Sequence, residues 1–143
     1  MRIVVPAARI VLGFLFGVLG MNGFVPFMPN PTFIPPTAAA FAGAMASSHF
    51  SYFVFGVQVA CGVLLLVNRW VPLAIVALAA VLANILAFHI TMWPQTLVPM
   101  PLLTLILWFI VAWPLRGHFA PLFAATVDDS PTIGTAAPSA QQR

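Results

Sequence analysis

Between Arg9 and Arg116 the chain carries one formally charged residue, Arg69. A water-soluble fold solvates its surface with charge, at roughly a quarter of all residues. Here Asp, Glu, Lys and Arg make up 5% of 143 residues and apolar residues 62%. A soluble enzyme, a nucleic-acid binder and a disordered chain are excluded, and a polytopic all-α membrane protein is expected. The net charge of +3 comes from five arginines against Asp128 and Asp129, too thin a surface for nucleic acid. The single Cys61 excludes an internal disulfide, a CxxC pair and a thiolate-rich metal site.

A hydrocarbon core of about 30 Å needs around 20 apolar residues in a helix. Four segments meet that length, at about 6–25, 50–67, 72–92 and 97–115. They lack the alternation of a membrane barrel, so a four-transmembrane-helix bundle over residues 1–124 is expected. Pro6 and Pro72 open spans, Asn68-Arg69 turns between the second and third, Pro94 lies in the next turn, and Pro114 closes the fourth. The stretch from Pro26 to Thr37 is too rich in proline for a regular helix and is expected to cap the bundle. Thr37 is expected to N-cap a short, non-spanning helix through about Ala46. Residues 125–143 have the composition of a disordered tail.

With four spans, Arg2, Arg9, Arg69, Arg116 and Arg143 all fall on one side, with both termini. The positive-inside rule makes that side cytoplasmic. Trp70 and Trp113 then mark the inner interface, Tyr52 and Trp93 the outer one. A cleaved signal peptide is the rival reading of the first span. No small-residue cleavage site follows the apolar run directly, so an uncleaved helix is expected.

Polar residues in the spans are few. Asn22, Gln58, Asn84 and His89 all map to the outer half of the bundle. Two readings stand side by side. The amides of Asn22, Gln58 and Asn84 could satisfy one another as interhelical glue. Alternatively the four residues could line an outward pocket for a quinone, a haem or another small ligand. Asn84 and His89, five residues apart, lie about 140° apart around a helix and cannot both point at one axis. His49 and His89 lack a nearby carboxylate and make a poor metal or haem pair; His118 lies beyond the inner boundary. No carboxylate lies in a span, and no nucleophile–base set is visible, so no catalytic residue is assigned and an enzyme in its own right is disfavoured. Arg9 either snorkels to lipid headgroups or caps the C-terminus of the second or fourth span. Gly13, Gly17 and Gly20, and the stripe Ala79, Ala83 and Ala87, suit close helix packing within the chain or in a homo-oligomer.

The runs ARIVLGFLFGVLGMNGF (8–24), GVQVACGVLLL (56–66), NRWVPLA (68–74), ANILAFH (83–89) and RGHFAPLF (116–123) together resemble the DoxX-like membrane proteins. The resemblance implies a four-helix bundle in a bacterial inner membrane. It implies an accessory subunit of a quinone-linked redox system, with membrane redox proteins as partners. It also implies that Glu often stands where this chain has Gln58; glutamine keeps the hydrogen bonding but cannot titrate. A small oligomeric transport protein and a purely structural assembly protein are the alternative expectations.

Overall fold

The structure, a computed structural model, describes residues 3–29 and 31–123. The expected tail at 125–143 lies outside the described residues. All regular structure among the described residues is helical. Helix α1 (Val4–Phe14) runs into a π-helical turn (Leu15–Leu19), followed by α2 (Pro36–Ser47), α3 (Phe50–Leu66) and α4 (Val71–Thr91). A 3₁₀ turn (Pro94–Thr96) leads to α5 (Met100–Ala112), and a second (Trp113–Leu115) leads to α6 (Arg116–Phe119).

Two helical runs are long and apolar enough to cross a membrane, Val71–Thr91 and Met100–Phe123. A third is added if α2 and α3, bent by 87° at their junction, act as one span. The bend has a local cause: His49 sits between them in the left-handed region at φ 60°. The Ser48 hydroxyl donates to the Ala44 carbonyl at 2.8 Å and ends α2 there. The run Val4–Leu19 is apolar but shorter, about 24 Å at 1.5 Å per residue.

Several boundaries differ from the sequence expectation. The first apolar run continues to Val25, but the helical path ends at Met21 and the chain turns from Asn22. The Asn22 N–H donates to Leu19 and that of Gly23 to Gly20, both i−3 bonds. Helix α2 starts at Pro36, with Pro35 at the N-cap and no side-chain cap, so Thr37 is a helical residue rather than the cap. Proline suits a first turn because its missing N–H has no partner to lose there. Pro114 does not close the last helix: it lies in the 3₁₀ turn, and the chain stays helical beyond it.

The α3–α4 turn forms where the sequence places it. The Arg69 N–H donates to the Leu64 carbonyl and the Asn68 N–H to Leu65, with Asn68 left-handed at φ 56°. This is a Schellman arrangement, and asparagine is the residue after glycine that best tolerates its left-handed position.

Helices α1, α3, α4 and α5 pack in a ring, α1 against α3 and α5, and α4 against α3 and α5. Helices α1 and α3 approach closely at their glycines. A Cβ on Gly62 would lie 2.6 Å from the Gly17 Cα and 2.8 Å from the Gly13 carbonyl oxygen. The Gly13-x-x-x-Gly17 stripe is thus spent inside the chain. The alanine stripe of α4 is not: Ala79 is half-buried, while Ala83 and Ala87 are exposed.

The tight core gathers at one end of the ring. Leu12, Leu65, Ala74, Ile75 and Leu78 are fully buried there, joined by Val111. Trp108 of α5 ties this end together, its Nε1–H donating to the Ile75 carbonyl of α4 at 2.9 Å. Arg9, Arg69 and Arg116 belong to the same end, Arg69 and Arg116 lying over the rings of Trp70 and Trp113.

Candidate ligand cleft

The opposite end of the ring is open. The end of α1, the middle of α3, the end of α4 and the start of α5 enclose a cleft of about 540 Å³. That is within the range of small-molecule sites, roughly 300–1,000 Å³. Its walls are mainly apolar: Leu15, Phe16 and Leu19 from the π-helical turn, Phe55 from α3 and Ile85 from α4. The π turn re-aims these side chains at the point where α1 borders the cleft. Such turns widen the helix by one residue and occur often at functional sites.

Five polar side chains reach the lining: Gln58, His89, Gln95, Thr96 and Thr104. Gln58 is 9% exposed, and among the described residues its amide has no hydrogen-bond partner. None of its polar atoms is sealed from space without a partner, so what access the amide has is to the cleft it lines. An amide so placed can offer two donors and an acceptor to a polar group in the cleft.

His89 Nδ1 lies 2.7 Å from the Ile85 carbonyl oxygen. A carbonyl only accepts, so Nδ1 carries the hydrogen and the neutral ring keeps a free acceptor at Nε2. Thr104 is 8% exposed, and its hydroxyl donates back to the Pro101 carbonyl at 2.8 Å. The Thr96 hydroxyl donates to Trp93 at 2.9 Å, fixing the turn at the cleft rim. Donor and acceptor are thus offered by Gln58, and an acceptor by His89.

Of the four residues singled out in the sequence, the structure brings Gln58 and His89 to the cleft and leaves Asn22 and Asn84 outside it. Asn22 Oδ1 accepts from the backbone N–H groups of Phe27 and Met28 at 2.9 and 2.8 Å, so it shapes the proline-rich loop. Asn84 is exposed on the outer face of α4, its Nδ2 donating to the Ala80 carbonyl at 2.9 Å. The mutual amide glue of Asn22, Gln58 and Asn84 is not formed; each is occupied or placed elsewhere. His49 packs near Tyr52, with ring centroids 5.8 Å apart, and is not a lining residue, which leaves the cleft one imidazole. Among the described residues no group of three His, Cys, Asp or Glu could hold a metal.

Sequence reasoning missed Gln95, Thr96 and Thr104. Thr104 carried a signal, as the one hydroxyl inside the fourth apolar run. Gln95 and Thr96 read as ordinary turn residues until the ring closes and brings their turn over the cleft.

A helical bundle with membrane-length helices and a polar-tipped apolar cleft is the class these observations define. Comparison with protein-family models, curated proteins and solved structures finds no match.

Proposed function

We propose that this chain is a DoxX-like, four-span protein of a bacterial inner membrane. Both termini are cytoplasmic, and the outward-facing cleft holds the head of a quinone for a membrane redox partner. The observation that carries the ligand reading is the Gln58 amide, without a hydrogen-bond partner among the described residues, in a mainly apolar cleft.

The residues fit such a group. A quinone ring is apolar on its faces and polar at its two oxygens. Gln58 would donate to a carbonyl oxygen, and His89 Nε2 would accept from a hydroxyl of the reduced form. Phe16, Phe55 and Leu19 would cover the ring faces. Bound there, the quinone would supply two-electron redox chemistry. The chain's own residues bind, orient and exclude water. The amides, hydroxyls and single imidazole that line the cleft among the described residues suit an accessory role.

The grouping of Arg9, Arg69 and Arg116 at the end away from the cleft supports cytoplasmic termini and an outward opening. A four-span topology needs α1 with its π turn and the bent α2–α3 pair each to act as a span. Local bilayer thinning would accommodate the shorter run.

The test is purification in mild detergent, followed by a visible spectrum and mass spectrometry of the organic extract. A stoichiometric quinone in the wild type, lost in Gln58→Leu and reduced in His89→Leu, is the expected result. A folded wild type carrying only bulk phospholipid, with no uptake of added quinone, would overturn the reading.

A further inference from the structure

The polar side chains of the cleft do not offer donors and acceptors evenly. The Thr96 hydroxyl commits its hydrogen to the Trp93 carbonyl at 2.9 Å. The Thr104 hydroxyl shares its hydrogen between the Pro101 and Met100 carbonyls, at 2.8 and 3.2 Å. The hydrogen of the neutral His89 ring goes to the Ile85 carbonyl at 2.7 Å, which leaves Nε2 with a lone pair. All three residues line the cleft, and each spends its one side-chain donor on the backbone of its own helix or turn. A ligand that meets any of these three polar groups can bond it only by donating.

Side-chain donors on the lining are left to two amides, buried Gln58 and exposed Gln95. An amide both donates and accepts, so Gln58 can bond a ligand oxygen whether or not that oxygen carries a hydrogen. His89 lacks this freedom. Against a bare carbonyl oxygen, Nε2 sets acceptor against acceptor and both go unpaired, whereas against a hydroxyl it accepts a bond. A site that bonds a hydroxyl rejects the analogue lacking one for this reason.

We infer that the cleft selects the reduced, hydroxyl-bearing form of its ligand, a quinol rather than a quinone, and that His89 is the residue that discriminates. This selectivity rests on the quinone-type head proposed for the cleft and adds which redox form is retained. Gln58 sets how tightly either form is held, because its amide serves a carbonyl oxygen and a hydroxyl alike. His89 sets the ratio between the two forms, with the acceptor oxygens of Thr96 and Thr104 weighting the cleft the same way.

The test uses full-length protein in phospholipid nanodiscs under anaerobic conditions, with empty nanodiscs as the control for partition into lipid. The probes share one ring: a short-chain benzoquinone, its dithionite-reduced quinol, and the dimethyl ether of that quinol, which lacks the hydroxyl hydrogens. Retained probe is measured by mass spectrometry. The wild type is expected to hold the quinol about tenfold more tightly than the quinone, the scale of one hydrogen bond. The ether, which reads the same contact without a mutation, should be held no more tightly than the quinone. His89→Leu should remove most of the preference, and Gln58→Leu should weaken both forms. Equal retention of quinone and quinol, an ether held like the quinol, or a preference that survives in His89→Leu would overturn the inference while leaving a quinone site in place. Retention of none of the probes by folded wild type would overturn that site and the inference with it.

Discussion

The Arg9 side chain of α1 donates through Nη1 to the Leu65 carbonyl at the C-terminal turn of α3, at 2.8 Å. Leu65 is among the last carbonyls of its helix, where the backbone ladder leaves acceptors without α-helical partners. A cation there also meets the negative end of the helix dipole. Of the two roles read for Arg9 in the sequence, the cap on the second span is thus observed. Arg9→Met should lower the unfolding free energy by about 1–3 kcal/mol, the scale of a hydrogen bond to a charged group. Arg9→Lys should recover part of it, because lysine keeps the charge but loses the guanidinium fork. Denaturant unfolding in detergent, followed by circular dichroism, measures both.

The α1–α3 crossing makes an opposite pair of glycine predictions. A methyl on Gly62 would meet backbone atoms of Gly17 and Gly13, which cannot rotate away as a flexible side chain can. Gly62→Ala should therefore force the helices apart and destabilise by about 1–3 kcal/mol or more. Gly43, in α2, has nothing within 4 Å of where a methyl would sit. Gly43→Ala should be neutral or stabilise by up to about 1 kcal/mol through helix propensity. Thermal midpoints in one detergent should separate the two variants in sign.

Trp108 joins α5 to α4 by the bond from Nε1 to the Ile75 carbonyl, beside fully buried Ile75. Trp108→Phe keeps most of the aromatic contact but removes the donor. A loss of about 1 kcal/mol is expected from the missing bond, with a further packing term for the smaller ring. Trp108→Ala should cost about 3–5 kcal/mol if the site fails to collapse. Thermal unfolding of both variants in one detergent ranks them. A smaller loss for alanine than for phenylalanine would mean that packing is not what the Trp108 ring supplies.

How much of this was legible in the sequence differs from element to element. The charge desert and the apolar runs place the ends of α3 and α4 to within a residue, because turn residues bound both runs sharply. The end of the first run is not legible in the same way, since its hydropathy continues past Leu19 while the backbone turns at Asn22. Hydropathy reports transfer into lipid and carries no information on local turns. Pro114 misleads because a proline in a 3₁₀ turn need not interrupt the helical path. The site was half legible. Gln58 and His89 face inward, but Asn84 lies about 140° from His89 around the same helix. Which of the two faces inward depends on how α4 is rotated against α3 and α5, and its weakly polarised, nearly all-apolar composition does not encode that rotation.

That rotation separates two variants which composition alone would rank together. Gln58→Leu should abolish retention of a quinone or similar amphipathic ligand. Asn84→Leu should leave ligand retention unchanged, since Asn84 lies outside the cleft. Ligand content by mass spectrometry on matched preparations measures both. Loss of ligand in Asn84→Leu without loss in Gln58→Leu would reverse the assignment of the two amides.

Topology gives the last test. The α4–α5 turn holding Gln95 and the segment holding Gly117 lie at opposite ends of the run Met100–Phe123. Arg69 and Arg116 share the Gly117 end, so the proposed orientation puts Gly117 in the cytoplasm and Gln95 outside. Both positions accept a small polar side chain: Gln95 is exposed, and nothing lies within 4 Å of a methyl on Gly117. The native Cys61 is buried and contributes only background labelling. In intact spheroplasts, an impermeant maleimide should label Gln95→Cys at once. Gly117→Cys should label only after the membrane is opened. The reverse pattern would turn the bundle over and point the cleft at the cytoplasm, changing which compartment supplies its ligand.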